Sequence, residues 1–268
     1  MSNRSEHRRR NEEHWNATLD AQNLGEASAP VPLDMQLTLA ATADVRAAYR
    51  HLGPLKGRLI LDLGGGLGLN AILLARAGAR VVIADLSRAR LREARKLIES
   101  LGLLSQVQFV CCAAEELPFR DGVFDGQITK SVLIHTDLPR AAAELHRTLA
   151  PNGRAAFIEP LTGNPFVNLY RRVAAPKIWQ EITRYFDHDR LATLRMPFAD
   201  AMRPVGIRRM YFLAFFATPF NYSLHKPKMY FFLERALLAL DKALFTVLPP
   251  LRRGAWFAIV MVGSPKEK

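Results

Sequence analysis

An aspartate closing an apolar run, followed by glycines at alternate positions, can hold a cationic group beside a nucleotide. Asp62, Gly64, Gly66 and Gly68 stand in that order in LILDLGGGLGLN, a stretch with four glycines. Glycine is costly in ordered backbone, so its use here points to a turn that must come close to a ligand. Asp85 ends the next apolar run, 17 residues after Gly68. A carboxylate there can accept hydrogen bonds from both hydroxyls of a ribose. Farther along, His135 and Glu159 are the groups whose chemistry suits proton abstraction. Lys130, Tyr170, Arg171 and His188 could hold an acceptor, Lys130 and Arg171 through positive charge. The cysteines, Cys111 and Cys112, are adjacent and offer neither a disulfide framework nor metal-ligand spacing. No metal site is expected.

The elements that would carry these residues alternate. Strands are predicted over Arg58–Leu63, Arg80–Ala84, Val107–Cys112, Phe124–Thr129 and Arg154–Glu159, each a continuous apolar run. Helices are predicted over Asp34–Leu52, Asn70–Ala77, Arg88–Leu101 and Leu138–Leu149, the last stopped by Pro151-Asn152-Gly153. This alternation implies a parallel sheet covered on both faces. After Glu159 the pattern changes. Leu161–Met202 reads as mainly helical, Ile207–Ala217 and Trp256–Val262 as strands, and Lys226–Leu248 as a helix between them.

The glycine turn alone leaves two ligands open, a dinucleotide or S-adenosylmethionine. The dinucleotide pattern G-x-G-x-x-G fails from Gly64, where Leu69 holds the last place, and passes from Gly66 only in relaxed form at Ala71. The pattern acid-x-G-x-G-x-G fits fully and adds a carboxylate able to meet a cationic amino group, which the dinucleotide lacks. The pieces DLGGGLG, the acid of IADLS, AEELPF-x-D-x-x-FD, L-x-H and EL-x-R-x-L-x-P-x-G follow in order over about residues 58–160. Together they resemble class I S-adenosylmethionine-dependent methyltransferases, bacterial small-molecule type. The resemblance implies a doubly wound, Rossmann-like, seven-stranded and mostly parallel α/β sheet with a helical lid and insertions. It implies Asp62, Gly64, Gly66, Gly68, Asp85, Leu86, Ala114, Glu115 and Lys130 around S-adenosyl-L-methionine. One departure stands out. The family often has Gly-Asp-Ala before the Glu-Glu-Leu-Pro stretch, where this chain has Cys112, Ala113 and Ala114. Adenine is then left to backbone amides near Ala114 and Glu115 and to apolar walls such as Leu86.

The division expected is a mobile arm over 1–33 and a methyltransferase domain over 34–268. Within the latter lie a cofactor-binding core at 55–160, a lid with edge strands at 161–268, and a helical insertion at 219–253. KSVLIH and EPLTGNPFVNLYRR follow the fourth and fifth strands, where ligands sit in an open parallel sheet. Phe212, Phe215, Phe216, Phe220 and the apolar run MYFFLERALLALDKALFTVL favour a small hydrophobic or amphipathic acceptor, with oxygen as the favoured atom. The alternatives are an RNA methyltransferase and a cofactor-binding module without transfer activity.

Charge sharpens the partner question. Of the net +12, residues 151–268 carry most, with 18 Lys/Arg against 8 Asp/Glu. An anionic partner fits. No recognisable RNA-binding module accompanies the basic residues, so nucleic acid is disfavoured, while peripheral membrane contact is compatible with Lys226, Lys228, Arg252 and Arg253. No apolar core of a signal peptide opens MSNRSEHRRRNEEHW, and the expected location is cytoplasmic, with membrane-peripheral contact allowed. Nothing in the sequence fixes the oligomeric state.

Overall fold

The five apolar runs become strands β1 (Leu59–Leu63), β2 (Arg80–Asp85), β3 (Val107–Cys111), β4 (Phe124–Lys130) and β5 (Leu149–Pro160). The computed structural model describes residue 6 and residues 9–16, 32–176, 178–201 and 203–263. Two further strands, β6 (Val205–Met210) and β7 (Phe257–Val262), complete a seven-stranded sheet in the order β3-β2-β1-β4-β5-β7-β6. β1 to β5 are parallel, and β7 pairs antiparallel with both β5 and β6. The two strands expected late in the chain therefore form an antiparallel pair at the sheet edge.

Helices cover both faces, as near-continuous apolar strands require. On one side lie α3 (Ala43–Leu52), α4 (Leu69–Arg76) and α5 (Arg88–Ser100), packed on Ile60, Val81, Ile83 and Ile128. On the other lie α6 (Leu138–Thr148) and α9 (His188–Asp200), packed on Leu61, Leu63, Phe157 and Val260. The chain turns left of β1 to make β2 and β3, then returns to its right to make β4. The carboxyl ends of β1 and β4 thus flank the topological switch point, where an open α/β sheet has its crevice.

Three boundaries differ from the sequence reading. The helix expected over 34–52 is two, α2 (Leu33–Ala40) and α3, separated by extended backbone at Thr42. Thr42 Oγ1 accepts from Lys130 Nζ at 2.9 Å, so a tertiary bond holds it out of the helix. β5 starts at Leu149 rather than at Arg154, its register shifting against β4 around the Pro-Asn-Gly stretch. The strand expected over 207–217 stops at Met210, because Tyr211 has a left-handed φ of 64° and Ala214–Ala217 form a 3-10 turn. Between β5 and β6 the chain is helical as expected, in α7 (Pro165–Val173), α8 (Ile178–Ile182) and α9. After α10 (Thr218–Tyr222), the long helix α11 (Pro227–Val247) closely matches its sequence boundaries. In the N-terminal stretch expected to be a mobile arm, residues 9–16 form a helix, α1, docked on the domain. The remainder of that stretch lies outside the described residues, apart from residue 6 and the start of α2.

The turn after β6 depends on one side chain. Asp241, buried on α11, accepts the backbone N–H groups of Phe212 (2.9 Å), Leu213 (2.8 Å) and Ala214 (3.2 Å). Replacing it by alanine leaves those donors buried without a partner. Asp241→Ala is expected to cost about 2–4 kcal/mol of stability, read from urea unfolding.

Candidate cofactor and acceptor site

Asp62 occupies the end of β1 and is almost wholly buried, with no hydrogen-bond partner for Oδ2 among the described residues. Burial first, and then the neighbouring Asp85, push its carboxyl up to about 7, against the opposing Ala71 N–H. The glycine turn wraps this carboxylate. A Cβ on Gly65 would stand 2.7 Å from Asp62 Oδ2 and 2.8 Å from an Ile83 methyl, and one on Gly64 would overlap Val132. Gly64, Gly66 and Gly68 all have left-handed φ, between 53° and 79°. Gly66 differs in its surroundings. A Cβ there would meet Arg90 Nη1 at 3.4 Å and little else, so Gly66 faces the open side of the turn.

Asp85 closes the turn from β2. Its Oδ2 accepts from Gly66 N–H at 2.9 Å and its Oδ1 from Ser87 N–H at 2.8 Å. Burial raises its carboxyl pKa, opposed by these N–H bonds and by the positive Arg90. The unsatisfied Asp62 oxygen, the left-handed glycines and the Asp85 carboxylate together fit a ligand carrying an amino cation and a ribose. Leu86 lies partly buried in the adjoining turn, and Ala114 is buried after β3, both consistent with an apolar wall. The Glu115 side chain instead accepts from Asp137 N–H (2.8 Å) at the start of α6. At that position a ligand is left with backbone.

The loop after β4 borders the same crevice. Ser131 has a left-handed φ of 56°, a strained conformation for a residue with a side chain. Glu159, fully buried at the end of β5, fastens this loop. Its Oε1 accepts from Thr129 Oγ1 (3.1 Å) and from the N–H groups of Val132 (3.3 Å) and Leu133 (3.1 Å), while Oε2 lacks a partner among the described residues. Burial pushes its carboxyl up to about 7 although those donors pull the other way. His135 follows in the same loop. Its Nδ1 lies 3.1 Å from the Ile182 carbonyl, which can only accept, so Nδ1 is the donor in that contact.

The residues expected on the acceptor side are placed as follows. The Lys130 ammonium lies 3.1 Å from Asp44 Oδ2 on α3 and donates to Thr42 Oγ1 at 2.9 Å. Arg171 donates to the Leu161 carbonyl and to Asn168, and its guanidinium stacks 3.5 Å from the Tyr185 ring centroid. His188 is 91% exposed on the first turn of α9, beside Asp189. Tyr170 is exposed on α7, next to the exposed Leu169 and Val173.

Two contributors were not read from the sequence. Helix α1 spans the crevice from the β2 turn to the β4 loop. Asn16 Oδ1 accepts from Ser87 Oγ (2.6 Å), the Trp15 carbonyl accepts from Arg90 Nε (3.2 Å), and Asn11 Nδ2 donates to the His135 carbonyl (3.3 Å). The Trp15 ring packs 4.6 Å from the Arg90 guanidinium and 5.2 Å, edge-on, from the His135 ring. An EEHW segment within a charged arm carries no periodic signal of this docking, and Arg90 reads locally as one more exposed helix residue.

A sheet of this order, with an acid and a glycine turn at its switch point and a second acid ending β2, defines the class I S-adenosylmethionine-dependent methyltransferases. The family described as "Methyltransferase domain" matches residues 61–157, the stretch from β1 through most of β5, and the chain resembles that class there. It is 34% identical over 139 residues to a demethylmenaquinone methyltransferase of Clavibacter sepedonicus, covering 49% of this chain and 55% of that one. It is 33% identical over 144 residues to the ubiquinone/menaquinone biosynthesis C-methyltransferase UbiE of Idiomarina loihiensis, covering 50% and 57%. The chain spans about half the length of the curated relatives it matches. Among solved structures, the geranyl diphosphate C-methyltransferase of Streptomyces coelicolor superposes with a TM-score of 0.54 at 20% identity, over 82% of this chain and 77% of that one. A putative sarcosine dimethylglycine methyltransferase of Galdieria sulphuraria reaches 0.56 at 14% identity, over 94% and 98%. At those identities the likeness is one of fold.

The glycine turn yields a paired test. Gly66→Ala costs about 1–2 kcal/mol of backbone strain but collides with little, so the variant is expected to stay folded and bind S-adenosylmethionine at least tenfold more weakly. Gly65→Ala pushes a methyl into Asp62 and Ile83 and is expected to lower thermal stability sharply. Calorimetric titration and melting of both variants separate the two effects. Unchanged affinity in Gly66→Ala would remove the cofactor from this turn.

Proposed function

We propose that the protein transfers the methyl group of S-adenosylmethionine to a small hydrophobic acceptor, at carbon. The observation that carries the reading is the buried, half-satisfied Asp62 carboxylate beneath a glycine turn open at Gly66. The sequence favoured oxygen as the acceptor atom. The relatives' printed name, C-methyltransferase, moves that preference to carbon. Exposed Leu169, Tyr170 and Val173 on α7, beyond the end of β5, support an apolar acceptor.

The bound cofactor supplies an electrophilic methyl on a sulfonium. The chain's part is to align the acceptor and exclude water. Asp62 receives the cofactor's amino cation, Gly64 to Gly68 its main body, and Asp85 its ribose. Helix α1 covers the crevice through Trp15 and must lift for ligands to pass. As the new bond to carbon forms, the acceptor carbon gives up a proton. His135 Nε2 is the base that takes it, and Glu159 acts by holding the Ser131–His135 loop in place.

The decisive experiment incubates the protein with methyl-labelled S-adenosylmethionine and a panel of quinols, phenols and prenyl diphosphates. Products are resolved by mass spectrometry, and carbon-13 shifts separate methyl on carbon from methyl on oxygen. Labelled carbon in an apolar product is expected, with His135→Ala lowering kcat at least tenfold and leaving cofactor affinity intact. Label in RNA, or cofactor bound with no turnover on any acceptor, would overturn the proposal.

A pH dependence follows from Asp62. Its carboxyl titrates near 7 when buried, and only the carboxylate attracts the amino cation. Protonation as pH falls through 7 therefore weakens binding, by about tenfold per pH unit below it. Titrations at pH 8 and pH 6 should differ accordingly, and Asp62→Asn should bind weakly at both. The same raised pKa, with that of Glu159, favours the protonated folded state. Stability of the cofactor-free protein is then greatest below pH 4 as far as these two groups are concerned, and this contribution is lost as pH rises through 7.

A further inference from the structure

Away from the crevice, a groove of about 1040 Å³ opens between α3, the edge strand β6 and α11. Its floor is apolar, with Ile207, Met210, Phe231, Leu238 and Phe245 among the lining residues. Its rim is cationic, with Arg50, Arg208, Arg209, Arg235, Lys242 and Arg252. No described carboxylate pairs with any of the six. The one acid lining the groove, Asp241, is buried and spends its oxygens on three backbone N–H groups. Its counterpart one heptad earlier, Glu234, is also buried, bound to Arg46 at 2.8 Å and to Tyr230 at 2.5 Å.

The outer face of α11 continues the pattern. Every exposed position of the helix is basic, apolar or Thr246, and none is acidic. Lys228, Arg235 and Lys242, seven residues apart, form one row along the helix. Beside that row, Phe232 is 67% exposed and Val247 76%, with Met229 and Leu240 exposed between and before them. Such a helix, long-sided apolar face outward and cations along its flank, suits the boundary between headgroups and acyl chains. No helix among the described residues is long and apolar enough to cross a membrane, so the contact would be peripheral.

We propose that the α11 face and the adjoining β6 edge dock on an anionic lipid bilayer, with the groove rim over phosphate headgroups and Phe232 and Val247 dipping into the interface. Charge argues against the other occupants. A second copy packed through α11 would set one cation row near another, and an RNA backbone gives exposed Phe232 and Val247 nothing to bury against. The docking concerns a different face from the cofactor crevice and does not depend on which acceptor is methylated.

The test is flotation of the full chain with vesicles of phosphatidylcholine containing one-third phosphatidylglycerol, and with pure phosphatidylcholine. Binding to the anionic vesicles is expected, with loss on raising salt and little binding to the neutral ones. Arg235→Glu with Lys242→Glu should weaken it by well over tenfold, each cation near the surface being worth roughly fivefold. Phe232→Ser with Val247→Ser should weaken it separately. All four residues are exposed, so melting temperature and S-adenosylmethionine affinity should hold. The proposal fails if anionic vesicles do not bind, if the charge-reversed variant binds as well as the parent, or if an RNA oligonucleotide or a second protomer takes the face instead.

Discussion

A carboxylate buried at the end of β1 constrains everything around it. Asp62 cannot be solvated where it sits, so its neighbours must come close without adding bulk. Gly65 has no room for even one carbon beside it, and Gly64 has none beside Val132. The first of these contacts shapes the turn around the acid, and the second presses the turn against the loop after β4. The glycine turn and the loop after β4 are therefore one packed unit, joined across the switch point of the sheet. A carboxyl that burial pushes up to about 7 is a partly uncompensated group, of the kind a cationic ligand stabilises.

The same device recurs with other partners. Asp85 takes the N–H groups of Gly66 and Ser87, Glu115 that of Asp137, Glu144 that of Leu117, Glu159 those of Val132 and Leu133, and Asp241 those of residues 212–214. Acids fasten the turns at strand ends because irregular backbone leaves donors unpaired there. This use has a consequence for the surface. In the C-terminal part, Glu159, Glu234 and Asp241 are all buried, while Arg208, Arg235 and Lys242 face outward. The exposed charge is thus more positive than composition alone indicates, and it gathers around α11.

The parts of the site legible in the sequence were local ones. Asp62, the alternate glycines and Asp85 sit within single strand–turn–helix units, so spacing carried their geometry. The apolar runs of β1 to β5 were equally visible, because burial on both faces leaves an unbroken hydrophobic signature. What escaped depends on distant partners. Lys130 lies at the right strand end but turns toward Asp44, and nothing near it in the chain announces that partner. The break between α2 and α3 has the same origin, since Thr42 is held by that lysine. β6 was read too long because Tyr211 adopts a left-handed backbone beneath Asp241, 30 residues away in the chain. Helix α1 and its Trp15 clasp on Arg90 belong to the same class of non-local contact.

Those distant contacts converge on one buried polar network. Lys130 at the end of β4 meets Asp44 on α3. Burial alone would raise the Asp44 carboxyl, but Lys130, Thr42 and Tyr211 together hold it below its usual range. The Tyr211 hydroxyl lies 3.0 Å from Asp44 Oδ1 and 2.9 Å from Glu234 Oε1 on α11, and Glu234 also binds Arg46 and Tyr230. A buried ionic cluster contributes little net stability relative to apolar packing, because desolvation offsets most of the attraction. Its value lies in geometry. A hydrophobic contact between α11 and the sheet could slide, whereas two carboxylates shared among lysine, arginine and two tyrosines accept one arrangement. Through Lys130 that arrangement ends one residue before the strained Ser131. One polar network therefore links the basic outer helix to the strand end from which the loop carrying His135 departs.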